Sequence, residues 1–176
     1  MNNAVKELKI NLVPLNLVSL STLGLFSKNL KSVNEVPQNG SVPIANNVIN
    51  NDPGLRLLAR NCLIKLKENT KEFVTTRDAE NPKNLRIKQV KGVQVVRAIN
   101  DVDFIVSSAE TVAIAGITPQ SMRQETAKDK KYSWALVTLQ GRENKPKIPK
   151  LDKLLNNPQV RDFINKQYQG RIVPVF

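Results

Sequence analysis

From Ile10 to Ser27 the chain reads INLVPLNLVSLSTLGLFS, without one charged side chain. No other feature constrains the fold as much, because so long an uncharged run must lie in a membrane or be covered by protein. Lys6 and Lys9 supply the basic flank of a signal or membrane segment. Against that reading, Asn11, Pro14 and Asn16 interrupt the run and no small-residue cleavage site follows it. Apolar residues recur at Leu15 and Leu17, and again at Leu23 and Leu25, the alternation of an extended chain. The run is therefore expected to be an arm docked on a hydrophobic groove, the chain's own or a partner's. A membrane role comes second.

Charge narrows the partners. Lys and Arg number 27 against 15 Asp and Glu, a formal net charge of +12. The excess is segmental. Residues 1–53 carry a net +1, residues 54–119 a net +4, and residues 120–176 a net +7. Such a surface attracts polyanions and repels copies of itself. The few aromatic residues leave little for base stacking, so contact with nucleic acid is expected at phosphates, without sequence preference.

Catalytic options are few. The chain has no His and a single Cys, Cys62, which excludes His-based triads, Cys/His metal sites and an intrachain disulfide. No phosphate-binding loop is present, since the glycines are scattered singly. Acidic-x-Lys triplets of the kind used by magnesium-dependent nucleases occur at Glu7/Lys9, Asp129/Lys131 and Glu143/Lys145, with Asp101 or Asp103 as an upstream ligand. The composition alone supplies such triplets, so a nuclease is only a remote alternative. No cofactor is expected.

Periodicity suggests helices. Residues 27–52 are rich in Asn, Ser, Val and Pro and read as a linker. Asp52-Pro53 reads as a helix start, with Leu55, Leu58, Ala59, Cys62, Leu66 and Phe73 on one apolar face, which predicts a buried Cys62. Residues 85–97 suggest a hairpin carrying Arg86, Lys88, Lys91 and Arg97. Asp101 is expected to cap a helix running to Gly116, and Thr118-Pro119 to start another reaching about Tyr132. Residues 132–140 lean to a strand, 141–150 to an exposed connection, and Asn157-Pro158 to a helix ending at Gly170. The closing RIVPVF is an apolar tail that docks.

Together these readings give a mainly α fold (α+β being the alternative) with a compact helical core, a short β-hairpin and extended N- and C-terminal arms. The expected division is an arm and linker over 1–52, a helical core domain over 53–170 and a tail over 171–176. The function expected is non-enzymatic. It is that of a self-associating, nucleic-acid-binding structural protein such as a small viral coat or nucleocapsid protein, in a virion or the cytoplasm. RNA is the expected polyanion ahead of DNA, and a membrane is not an expected partner. The phosphate contacts would be Arg123, Lys128, Lys130, Lys131, Arg142, Lys145 and Lys147, with Arg86 and Lys88 as a second tier. The rival reading is an interaction or membrane-associated accessory protein that works through its N-terminal arm.

Overall fold

The uncharged run is not an arm. In the computed structural model, which describes residues 10–68, 73–126 and 130–176, it forms the strand β1 (Leu12–Ser27) at the centre of a sheet. β-branched and leucine side chains, free of charge, suit a strand with neighbours on both edges. The described residues group into two compact units, 22–126 and 10–21 with 130–176.

In the larger unit, β1 lies between β6 (Ile105–Ser108) and β7 (Gln120–Thr126), antiparallel to both. Leu25 faces Val106 on one side and Arg123 on the other, and the β7 register shifts between Leu25 and Phe26. Gly24 is needed where it stands. A Cβ there would come within 2.5 Å of the Phe26 ring. Away from this sheet, β2 (Ser41–Ala45) runs parallel to β5 (Arg86–Val90), and β3 (Lys65–Leu66) pairs with β4 (Ala79–Glu80) in a short antiparallel ribbon. Three helices follow strands: α1 (Val48–Arg60) after β2, α2 (Gly92–Arg97) after β5 and α3 (Ala109–Ile114) after β6. One buried cluster gathers Leu25, Val42, Ile44, Leu55, Leu58 and Phe104 among others. A second gathers Phe26, Ala45, Val96, Ile99, Ile105 and Ala109.

The smaller unit uses the first part of β1, flanked by β8 (Trp134–Leu139) and β9 (Ile172–Pro174), again antiparallel. Ser19 faces Trp134 on one side and Pro174 on the other. The helices α4 (Lys147–Leu155) and α5 (Pro158–Tyr168) complete it. Asp152 of α4 accepts from Asn16, from its backbone N–H at 3.2 Å and its side-chain amide at 2.6 Å. The Arg161 guanidinium of α5 stacks 5.2 Å from the Phe176 ring centroid and donates to the Phe176 carbonyl, holding the chain end.

The expected helical core with a short hairpin and two arms is thus replaced by an α/β arrangement of several sheets. Residues 85–97 form no hairpin, because β5 pairs in parallel with β2 and the second half coils into α2. The helix expected from Asp101 is instead β6 followed by the short α3, capped by Ser108, whose Oγ accepts from the Thr111 N–H at 3.1 Å. Phe104, Ile105 and Val106 are a continuous buried run, which apolar spacing alone cannot tell from a helix. The helix expected after Thr118 is β7. α1 starts earlier than expected, at Asn47, whose Oδ1 accepts from the Asn50 N–H at 2.9 Å. The strand over 134–139 and the helix begun by Asn157-Pro158 appear where the sequence puts them.

Cys62 is exposed rather than buried. It is the left-handed residue, φ 57°, that closes α1. Its N–H donates to Ala59 and the Leu63 N–H donates to Leu58, each at 3.0 Å, the paired bonds of a helix ending that usually employs glycine.

Candidate functional site

The parallel strands β2 and β5 end together, with Ala45 opposite Val90 and the Asn46 N–H donating to the Val90 carbonyl at 2.8 Å. Each then turns into a helix. In α/β proteins the carboxyl ends of parallel strands are where ligands bind, because loops and helix N-termini converge there. Asn46, Asn47, Asn50 and Asn51 lie within six residues of this turn. Asn47 caps α1, and Asn51 is buried, its Nδ2 donating to the Ala45 carbonyl at 3.0 Å. The Asn51 Oδ1 is buried with no hydrogen-bond partner among the described residues. Asn46 and Asn50 are exposed. The first turn of α1 holds no acidic residue, so the partial positive charge of the helix end is left uncompensated from within the turn.

Two further groups border this junction. Lys91, exposed, follows Val90 directly and occupies the N-cap position of α2. The β6–α3 turn places the Ser108 and Thr111 hydroxyls 2.6 Å apart, and Ala109 at its start belongs to the same buried cluster as Ala45. Backbone N–H groups, neutral amides, hydroxyls and a cation can hold the carboxylate and amine of a small zwitterion. They offer no nucleophile–base pair.

The base of this unit is pinned by Asp103. Its Oδ2 accepts from the Ser41 hydroxyl at 2.6 Å and from the Ser41 N–H at 2.7 Å, and its own N–H donates to the Ser41 Oγ at 3.0 Å. Those bonds from Ser41, with the nearby Arg86 cation, hold the Asp103 carboxyl below its ordinary value despite partial burial. Asp103 is therefore engaged in joining β2 to the start of β6 and is not a free metal ligand. Among the described residues no cluster of His, Cys, Asp or Glu could hold a metal ion.

The described cations expected to bind phosphate fall in both units. Arg86 and Lys88 lie exposed on β5, Arg123 exposed on β7, and Lys130 exposed in the turn Lys130–Tyr132, which also includes Lys131. Lys128 lies outside the described residues. Arg142, Lys145 and Lys147 come together. They line a pocket of about 630 Å³ in the smaller unit whose other walls include Leu12, Val137, Leu139 and Ile148. Asn46–Asn51 lies in the segment whose composition suggests a linker, though Asn pairs spaced by three residues, such as Asn47 and Asn50, are also a helix-start signal.

Comparison with known proteins places this geometry. The sequence model of a family described as NlpA lipoprotein matches residues 1–176. A probable D-methionine-binding lipoprotein of Pasteurella multocida is 31% identical over 153 residues, 86% of this chain, and the chain spans 55% of that protein's length. The structure of a nutrient-binding protein from Burkholderia cenocepacia bound to methionine superposes with a TM-score of 0.86 at 29% identity, over 99% of this chain and 75% of its own. The substrate-binding protein of a methionine transporter from Streptococcus pneumoniae gives a TM-score of 0.84 at 27% identity, over 99% of this chain and 72% of its own.

These likenesses overturn the reading as a self-assembling, nucleic-acid-binding coat or nucleocapsid protein of a virion or the cytoplasm. The relatives are lipoproteins and binding proteins for small molecules. An arm-mediated accessory role loses its premise as well, because residues 12–27 are a strand. The expectation of a chain without catalytic activity agrees with the family. Among the described residues no helix is long and apolar enough to cross a membrane.

Proposed function

The chain belongs to the NlpA lipoprotein family, and on that premise we propose that it serves as the extracytoplasmic substrate-binding component of an ATP-driven transporter, taking methionine or a close amino-acid analogue. The match along residues 1–176, with relatives named for methionine binding, is the observation that carries this reading. The β2–α1 junction supports it chemically. A helix N-terminus free of acidic side chains suits the α-carboxylate of an amino acid, and amides and hydroxyls suit its ammonium group. Its partners would be the small ligand and the membrane-bound transporter, and its place the outer side of the cytoplasmic membrane, held by a lipid anchor.

Calorimetric titration with L- and D-methionine tests this. Saturable binding of either enantiomer, lost when Asn50 and Lys91 are both replaced by Ala, is expected. Heats no larger than those given by glutamate or lysine would remove methionine as the substrate.

A further inference from the structure

Asn51 carries an oxygen that the fold itself does not use. The residue is 5% exposed, and its Nδ2 donates to the Ala45 carbonyl at 3.0 Å. That contact fixes the amide, because turning it over would set the Oδ1 against the carbonyl oxygen, two acceptors face to face. The Oδ1 is buried and unpartnered among the described residues, and of the buried side-chain oxygens left so it is the one in the larger unit. Burying an acceptor unmet is costly. A leucine of similar size would avoid the cost, as Leu55, Leu57 and Leu58 do further along α1.

The amide stands at the junction of two elements. Ala45 ends β2, and Asn51 lies one turn into α1, so its nitrogen is anchored at the strand end and its oxygen is held beside it. The donors gathered here, the first-turn N–H groups of α1 and the Lys91 ammonium, suit a carboxylate. The Ser108 and Thr111 hydroxyls are engaged with each other, 2.6 Å apart. A ligand that is only a carboxylate would leave the Asn51 oxygen unmet and bring further acceptors towards it. An α-amino acid carries an ammonium group beside its carboxylate and can satisfy both. We infer that the Asn51 Oδ1 accepts a hydrogen bond from the α-ammonium group of the bound ligand, which restricts the site to α-amino acids and rejects carboxylic acids that lack the amine. This rests on the reading of the β2–α1 junction as the ligand site, and it assigns the amine to one atom of the chain.

The test varies the amine and the oxygen together. The purified chain is titrated calorimetrically with each of the common L-amino acids, and with the amine-free carboxylic acid that corresponds to whichever binds. For methionine this is methylsulfanylbutanoate. The amino acid should bind about tenfold to a hundredfold more tightly than its amine-free counterpart. Asn51→Leu should weaken the amino acid by a similar factor and leave the counterpart within about twofold, so that the preference disappears. Asn51→Asp keeps an oxygen there and should keep the preference, which preserves the test if the leucine variant does not fold. An amino acid other than methionine that behaves this way removes methionine as the substrate and leaves the role of Asn51 standing. Equal binding of both compounds by the unaltered chain, or an equal loss of both on Asn51→Leu, overturns the inference. So does the absence of binding by every amino acid, which would remove the proposed function with it.

Discussion

Asp52 offers the sharpest test of how the larger unit is held together. As a helix cap it would be a surface residue whose replacement by Ala costs about 1 kcal/mol. In the structure it is fully buried inside α1. One carboxylate oxygen accepts from the Val74 N–H at 2.8 Å and from the Arg56 Nε at 3.0 Å, tying α1 to a segment 22 residues further on. Val74 is itself buried, so Asp52→Ala strands its amide, at a cost of about 1–3 kcal/mol. Arg56 is 27% exposed and recovers part of its lost pairing from water, which trims that contribution. The two together come to about 1–4 kcal/mol. Asp52→Asn keeps an acceptor for Val74 and removes the charge, so it should cost roughly half as much. Equilibrium urea unfolding followed by circular dichroism measures both, with Asn47→Ala, the true cap, as the reference at about 1 kcal/mol. If Asp52→Ala costs no more than Asn47→Ala, the buried tether is not a stabilising element and the reasoning fails.

Other outcomes follow from single positions. Cys62→Gly should stabilise the chain by up to about 1 kcal/mol in the same assay, since φ 57° suits glycine, whereas a loss would show that the thiol makes a stabilising contact. Gly24→Ala should destabilise by about 1–3 kcal/mol through its clash with the buried Phe26 ring, and a neutral result would mean that β1 can shift there. Asp103 has a folded-state pKa below its ordinary 3.8, so the stability it adds is complete above that value and is lost as pH falls through the folded one. Unfolding free energy should therefore drop on acidification below about pH 4, and Asp103→Asn should flatten that portion of the curve. An identical acid limb in the variant would clear Asp103 of the role.

Elements closed by local chemistry could be read from the sequence, and those closed by distant contacts could not. Asn157-Pro158 start α5 by supplying the cap and the first helical residue from within the segment, and Gln169 with Gly170 end it in left-handed conformations. The aromatic and β-branched residues of 134–139 likewise favour a strand on their own. By contrast, β6 is a strand because Phe104 and Val106 pack into the cluster of Leu25 and Leu55 while Ile105, between them, packs into that of Phe26 and Val96, and the same run satisfies helical spacing equally well. β7 was lost for a related reason. It is too polar to advertise itself, and its place is set by β1.

The candidate site was hidden by the same asymmetry. Ser41–Ala45 holds Pro43, which in isolation argues against a strand. It is tolerated because among the described residues β2 pairs only with β5, leaving one edge where a missing N–H breaks no ladder bond. Once β2 is seen as a strand, the asparagines after it cease to be a linker and become the turn and cap of α1. Net charge misled in the opposite direction. A +7 third of the chain is a true property of the composition, but it fixes neither where the cations stand nor whether they converge. Among the described candidates, Arg142, Lys145 and Lys147 line one pocket, and its other walls, Leu12, Val137, Leu139 and Ile148 among them, are apolar rather than the continuous basic track that a phosphate backbone needs.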